Sequence, residues 1–165
     1  MTEIFAKPAV GAIIEKSDKD QRYILIQERQ KENAGIENGM IEIPAGKIRE
    51  YENIFDALRR EVREETGLRV TEIKGEKDAV SNTVNGYQVI SFSPFCSTQN
   101  LSGGYSLLLQ TFVCRAEGTL LAQTNETVNM RWITRQKCKE MLSQDAGSFY
   151  PMHINALKKY LAEDL

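Results

Sequence analysis

Between Asn53 and Thr66 the apolar residues Ile54, Ala57, Leu58 and Val62 recur at helical spacing, and the stripe then runs into Glu61 and Glu65, flanked by Glu64. At roughly 100° per residue the three carboxylates fall within an arc of about 100°, centred near the side marked by Ile54 and Leu58. A helix face that begins by burying hydrocarbon therefore turns acidic along its length. Like charges three and four residues apart repel, and partial burial raises the cost. A divalent cation would convert that liability into a binding site. The competing reading is an ordinary solvated face, since charge runs on helices usually are that. The surrounding residues decide between the two.

Three clustered carboxylates are hard oxygen ligands, better suited to Mg²⁺ or Mn²⁺ than to zinc. An ion held by few protein groups keeps positions open for water and phosphate oxygens, and can orient and neutralise a diphosphate. Phosphoryl or nucleotidyl transfer asks chiefly for positioning and charge neutralisation, so such a site suffices for hydrolysis. Arg60, beside the cluster, can steer a carboxylate or offset its charge.

The helix lies within GKIREYENIFDALRREVREETGL, residues 46–68. Gly46, Glu52, Arg60, Glu61, Val62, Glu64, Glu65, Gly67 and Leu68 satisfy the spaced pattern G-x5-E-x7-R-E-U-x-E-E-x-G-U, with U a bulky aliphatic, at every specified position. Chance agreement is on the order of one in a billion per start point at average residue usage. The segment resembles the Nudix box and the chain resembles the Nudix hydrolase family, although the box covers only about a seventh of the sequence. The resemblance implies an α/β fold, an α/β/α sandwich with a mixed β-sheet between helices. It implies that Glu61, Glu64 and Glu65 surround the metal, Glu61 and Glu65 as the commonest direct ligands, with a backbone carbonyl from the turn at Ala45 and Gly46. By the same resemblance Arg60 orients a helix glutamate and Glu52 supports. The catalytic base varies among relatives between a box glutamate, such as Glu64 or Glu61, and an acid in a later loop. Glu126, in the TNET loop, is the candidate for the latter, as base or extra ligand; its alternative is a solvated loop acid.

Length and composition fit one domain over residues 1–165. A chain of this length buries about 70% of its unfolded surface without staples. A net charge of −2 with no basic stripe argues against nucleic acid. The apolar runs are too short to span a bilayer, and the N-terminus has no cationic start followed by an apolar core, so no membrane partner and no secretion signal are expected. Cys96, Cys114 and Cys138 are far apart with no metal-type spacing and read as reduced, mostly buried thiols in a cytoplasmic protein.

Strands are expected at Pro8–Glu15, Gln21–Gln27, Met40–Ile43, near 69–75, 87–93 and 106–115, and at Val128–Ile133. The apolar centre of QRYILIQ asks for cover on both faces. Residues 30–39 form a polar loop, Gly67 sits where a C-cap would stop the box helix, and Arg135–Ser143 and Pro151–Ala162 read as helices, with Pro151 suited to a first helical position. Trp132 reads as core. Strands alternating with helices on both sides give a mixed sheet under two layers.

The box does not specify what is joined to the nucleoside diphosphate. The run Glu42-Ile-Pro-Ala-Gly46 resembles the E-x-P-A-G approach of ADP-ribose and nucleotide-sugar pyrophosphatases, whereas nucleoside triphosphate cleaners more often carry P-G-G. Against this, the proline that many ADP-ribose enzymes carry about sixteen residues past the box is Val84 here; Pro94 and the turn Leu101–Gly104 follow later. The favoured activity is metal-dependent hydrolysis of the pyrophosphate bond in ADP-ribose or a nucleotide sugar. The alternatives are a house-cleaning (d)NTP pyrophosphohydrolase and a non-catalytic nucleotide-binding regulator, the latter disfavoured because every box acid is present. Arg29 and Glu42 are candidate substrate-binding residues; the blander reading of Arg29 is a surface arginine. Tyr87, Phe95 and Tyr105 are candidates to stack on a base or simply to pack. His153, the only histidine, is assigned no catalytic role. Ile154, Leu157, Tyr160 and Leu161 share a side of the last helix that could cover the sheet or a partner subunit, and the resembled branch makes a homodimer the default.

Overall fold

The computed structural model describes residues 1–163; Asp164 and Leu165, the end of the domain expected over 1–165, lie outside the described residues. Ten strands and three α-helices follow in order: β1 (Lys7–Asp18), β2 (Gln21–Arg29), β3 (Ile41–Glu42), β4 (Ala45–Lys47), α1 (Ile54–Thr66), β5 (Arg69–Ile73), β6 (Val80–Val84), β7 (Tyr87–Ser91), β8 (Cys96–Gln99), β9 (Leu107–Glu117), β10 (Thr127–Thr134), α2 (Arg135–Gln144) and α3 (Pro151–Ala162).

The main sheet runs β10-β2-β1-β9-β5, with β3 paired to β2, β4 to β1 and β8 to β9. β1 and β9 are parallel, from Lys7 opposite Leu107 to Ile14 opposite Cys114, while the other described strand-to-strand pairings are antiparallel; an isolated bridge between Ile41 and Phe149 is also parallel. The sheet is therefore mixed, as expected. β6 and β7 form a separate hairpin.

Side-chain alternation divides the core into two layers. From β1, Val10, Ala12 and Ile14 pack with Leu25, Phe112 and Cys114 against α1, while Ile13 joins Ile24, Ile26 and Val113 on the opposite face against α2 and α3. Ile24, Leu25 and Ile26 are all fully buried, so β2 is covered on both faces. Each such side chain contributes about 1.5–3 kcal/mol relative to exposure. Phe55, Phe92 and Phe112 meet edge-on or tilted inside the α1 layer, with ring centroids 5.3–6.2 Å apart. Trp132 packs at the margin of that layer with the Lys16 ammonium 4.2 Å from its ring centroid.

Local signals set the limits of α1. The Asn53 side chain accepts from the Phe55 N–H at 2.9 Å, and Gly67 caps the C-terminus at φ 80° while its N–H bonds to the Arg63 carbonyl. Pro151 opens α3.

The face of α3 assigned to the sheet or to a partner is taken by the chain's own sheet. Leu157 and Tyr160 are fully buried there, with Ile154 and Leu161 beside them. The Tyr160 hydroxyl donates to the buried Glu15 carboxylate at 2.6 Å, and Arg22 and Lys74 each reach Glu15 at 3.0 Å. Burial alone would raise this carboxyl, but the Tyr160 bond and Lys74 outweigh it and hold Glu15 below its usual range.

β4, β6 and β8 were not expected from the sequence. β4 is three residues, Ala-Gly-Lys, with no alternation to read; β6 is exposed along its length; β8 is short and polar. The polar loop 30–39 also contains a 3₁₀ turn at Gly35–Glu37.

The start of α3 also holds the segment between β3 and β4. The Tyr150 N–H donates to the Ile41 carbonyl at 2.8 Å, and the Ile43 N–H donates to His153 Nδ1 at 3.2 Å. Burial, then the charge of Arg29, depress His153 from 6.5 to about 3. The unfolded chain therefore takes up this proton below pH 6.5 while the folded chain refuses it until about pH 3. The associated stability is complete above that window and lost as pH falls through it, with a slope approaching about 1.4 kcal/mol per pH unit. Urea unfolding at pH 7, 5.5 and 4 should show the wild type losing more stability on acidification than His153→Asn, in which this term is absent.

Candidate active site

One cavity of about 450 Å³ gathers most of the candidate residues: Arg29, Ala45, Gly46, Arg60, Glu61, Glu64 and Glu126 all line it. Glu65, Glu42 and Glu52 stand outside its lining, joined to it through hydrogen bonds. That volume matches a small-molecule site.

Helix spacing carries Glu61, Glu64 and Glu65 to this end of α1, at three levels of burial. Glu65 is buried, Glu61 is half-buried and Glu64 is exposed. Glu65 Oε2 accepts from the Ala45 N–H and from Gln27 Nε2, each at 3.1 Å. Burial, followed by the charges of Glu42 and Glu61, pushes Glu65 up to about 8. Burial also raises Glu61; Arg60 opposes the shift, while Glu64 and Glu126 add to it. Glu126 thus lies close enough for its charge to reach the cluster, although it also pairs with Lys31 at 3.3 Å.

Arg60 organises the group. Its Nε and a terminal nitrogen grip both Glu52 oxygens at 2.6 and 2.9 Å, and its other terminal nitrogen reaches Glu61 at 2.6 Å and Glu64 at 3.3 Å. The two-pronged bond to Arg60 holds the Glu52 carboxyl down to about 2. Glu52 therefore anchors the arginine that orients two helix glutamates.

Gly46 is required by close approach. A methyl group on its Cα would overlap the Glu61 carboxyl group. Its backbone conformation is not left-handed, so the constraint there is the space that the Glu61 carboxyl group occupies.

Arg29 is not the surface arginine that the blander reading expected. It is buried, with Nε on Glu42 at 2.9 Å, a terminal nitrogen on Glu37 at 2.6 Å and its guanidinium 4.0 Å from the centroid of the Tyr150 ring. Glu42 is buried beside it and shares Gln27 with Glu65. Burial raises the Glu42 carboxyl despite Arg29. Of the aromatic candidates only Tyr105 reaches the cavity; Tyr87 is exposed on β7, and Phe95 packs edge-on against Tyr160. Val84, Pro94 and the Leu101–Gly104 turn do not line it.

A NUDIX-domain family model matches residues 6–152. The chain belongs to the Nudix family. It is a Nudix pyrophosphohydrolase, and enzymes of this family act on nucleoside diphosphate derivatives with the help of divalent metal ions. Its fold is similar to that of a NUDIX hydrolase from Nitrosomonas europaea, at 20% identity and TM-score 0.64 over 96% of this chain and 90% of that one. It is also similar to MutT from Aliivibrio salmonicida and Vibrio cholerae, at 20% identity and TM-score 0.61 over 95% and 97%. A C. elegans Ap4A hydrolase complex aligns at 13% identity and TM-score 0.55 over 94% and 96%. No curated protein matches the sequence significantly.

The donors suit a hard cation. Glu61, Glu64 and Glu65 offer carboxylate oxygens, and the two more buried ones carry proton affinities raised by burial and by neighbouring carboxylates, a cost that a nearby positive ion would reverse. Among the described residues these side chains are engaged with Arg60, Gln27 and Ala45 and do not form a ready-made cage. A divalent ion bound there would neutralise phosphate charge and acidify a water. The chain's own groups supply Arg60 to aim Glu61 and Glu64, and the Ala45 N–H and Gln27 amide to fix Glu65.

Sequence reading missed Gln27, Lys47, Tyr150 and Met152. Gln27 left one signal, a polar residue closing the apolar run of β2; the others become neighbours only through folding.

Gly46→Ala should leave stability nearly intact, because the atoms displaced are the end of a flexible Glu61 side chain. The turnover number should fall by about 10²-fold, the usual effect of misplacing a reacting group by about 1 Å. Thermal unfolding together with steady-state kinetics checks both halves.

Proposed function

We propose that this Nudix enzyme hydrolyses the pyrophosphate bond of a nucleoside diphosphate linked to a second moiety, ADP-ribose or a nucleotide sugar, with Mg²⁺ or Mn²⁺. The supporting observation is the divided chemistry of the residues that line the cavity. The cavity combines an ionic group, Glu61, Glu64 and Glu126 with Arg49 paired to Glu64 and Lys31 paired to Glu126, with an apolar cluster of Ala9, Leu107, Leu109, Tyr150 and Met152. Tyr105 and Lys47 also line it. A polyanion flanked by less polar groups fits that division. Lys47 forms no ion pair among the described residues, and its ammonium lies 5.6 Å from the Tyr105 ring centroid, so its charge is free for a phosphate.

In this reading Glu61, Glu64 and Glu65, with the Ala45–Gly46 backbone, hold the ion. Glu64 or Glu126 accepts a proton from the attacking water, since both are exposed at the cavity wall. Arg29, in the cavity wall, and Glu42, behind it and bonded to it, act on the substrate side. The domain is read as one unit over 1–165, cytoplasmic, without a nucleic-acid or membrane partner; among the described residues no helix is long and apolar enough to cross a membrane. A homodimer would have to use a surface other than the α3 face already packed on the sheet.

The likeness to MutT structures keeps (d)NTP pyrophosphohydrolysis as the second reading. Incubation with Mg²⁺ or Mn²⁺ and ADP-ribose, nucleotide sugars, dinucleoside polyphosphates or dNTPs separates the two by product: a nucleoside monophosphate plus a sugar phosphate, or a nucleoside monophosphate plus pyrophosphate. Glu64→Gln should lower turnover by about 10²-fold or more, as expected for a group that moves a proton, and a chelator should abolish it. Nucleotide binding without turnover of any of these compounds would favour the regulator.

A further inference from the structure

The first turn of α3 brings a buried histidine into the lining of the cavity. His153 lines it beside Tyr150 and Met152, with only 1% of its surface exposed. Its Nδ1 accepts the Ile43 N–H at 3.2 Å. A neutral imidazole that accepts at one nitrogen carries its proton on the other, so Nε2 is an N–H donor. That donor is buried and has no hydrogen-bond partner among the described residues. Buried polar groups are nearly always partnered, and an exception calls for an explanation.

The ring cannot turn to bury its proton elsewhere without breaking the Ile43 bond. It stands perpendicular to the Tyr150 ring, 5.1 Å between centroids, and Tyr150 is in turn capped by the Arg29 guanidinium. Burial and Arg29 keep the imidazole neutral well below pH 7. It is therefore a fixed donor rather than an acid or base, and its position in the first turn of a helix makes an electronegative partner more favourable still. Tyr105, Leu107, Leu109 and Met152, which line the same cavity, offer nothing to a phosphate but suit a flat, uncharged ring.

We propose that His153 is a specificity-determining residue, its Nε2–H donating to an acceptor atom, a ring nitrogen or carbonyl oxygen, on the nucleobase of the substrate. This rests on the nucleotide-hydrolase reading above. It gives selectivity for a base that turns an acceptor towards α3, because a donor there would leave two N–H groups facing each other.

The test compares His153→Asn, whose side-chain oxygen can still accept from Ile43 but which lacks the Nε2 donor, with His153→Gln, whose amide nitrogen reaches the Nε2 position. Calorimetry with Mg²⁺ and AMP, GMP, CMP or UMP should show at least one monophosphate bound by the wild type. His153→Asn should weaken it about tenfold, and His153→Gln should recover part of the loss. Ribose 5-phosphate, which has no base, should bind wild type and His153→Asn within about twofold, and the thermal midpoint of His153→Asn at pH 7 should stay within a few degrees of wild type. Equal losses for ribose 5-phosphate and the nucleotides would overturn the proposal in favour of a packing role. Unchanged nucleotide binding in His153→Asn, or no monophosphate bound by the wild type, would overturn it as well. Wild-type turnover of the pyrophosphate panel is scored separately: absent turnover with His153-dependent nucleotide binding defeats the hydrolase reading alone.

Discussion

Three carboxylates can share the end of α1 because Arg60 and Gly46 make room for them in different ways. Arg60 places positive charge between Glu52, Glu61 and Glu64, at 2.6–3.3 Å from each. Gly46 leaves the volume into which the Glu61 carboxylate fits. Without the cation the helix end would be a site of uncompensated repulsion; without the glycine Glu61 would be turned away from its neighbours. Glu65 lies deeper and relies on neutral donors, the Ala45 N–H and the Gln27 amide, which hold it without discharging it. The cluster is thus kept together yet remains electrostatically unsatisfied, the condition in which an added divalent cation gains most.

Around this cluster the scaffold consists of short connections with long-range anchors. β4 is only three residues, but it pairs with β1 and carries Ala45 and Gly46 to α1. The segment before it is tied down by α3 through Tyr150 and His153. Arg29 links β2 to β3 through Glu42 and to the 30–39 loop through Glu37. Helices from both layers therefore converge on one strand junction, and the cavity opens where they meet.

Much of this was legible in advance, and the reasons are local. The box residues sit on one helix, where the backbone itself sets which side chains share a face. Gly67 and Pro151 act within a few residues of their own position. The two-faced burial of Ile24, Leu25 and Ile26 follows from an unbroken apolar run. What escaped notice lacked a local signature: β4, β6 and β8 are short, polar or exposed, and Arg29 looks like any arginine at the end of a strand until Glu42, Glu37 and Tyr150 close around it. His153 was set aside for the same reason, since one histidine near a helix start carries no pattern.

The order of residues along α1 determined by itself that a glycine-flanked helix would present three glutamates and an arginine on adjoining faces, because 3.6 residues per turn leaves little choice. It also determined the family, since the whole signature lies within 23 consecutive residues. Tertiary structure alone decided how deeply each glutamate is buried, which acids the basic groups pair with, and which apolar residues join the cavity lining. Those properties depend on contacts such as Gln27 with Glu65 and Ile43 with His153, separated by 38 and 110 positions. Packing of the two helical layers on the sheet brings such groups together, and no periodicity in the chain records it.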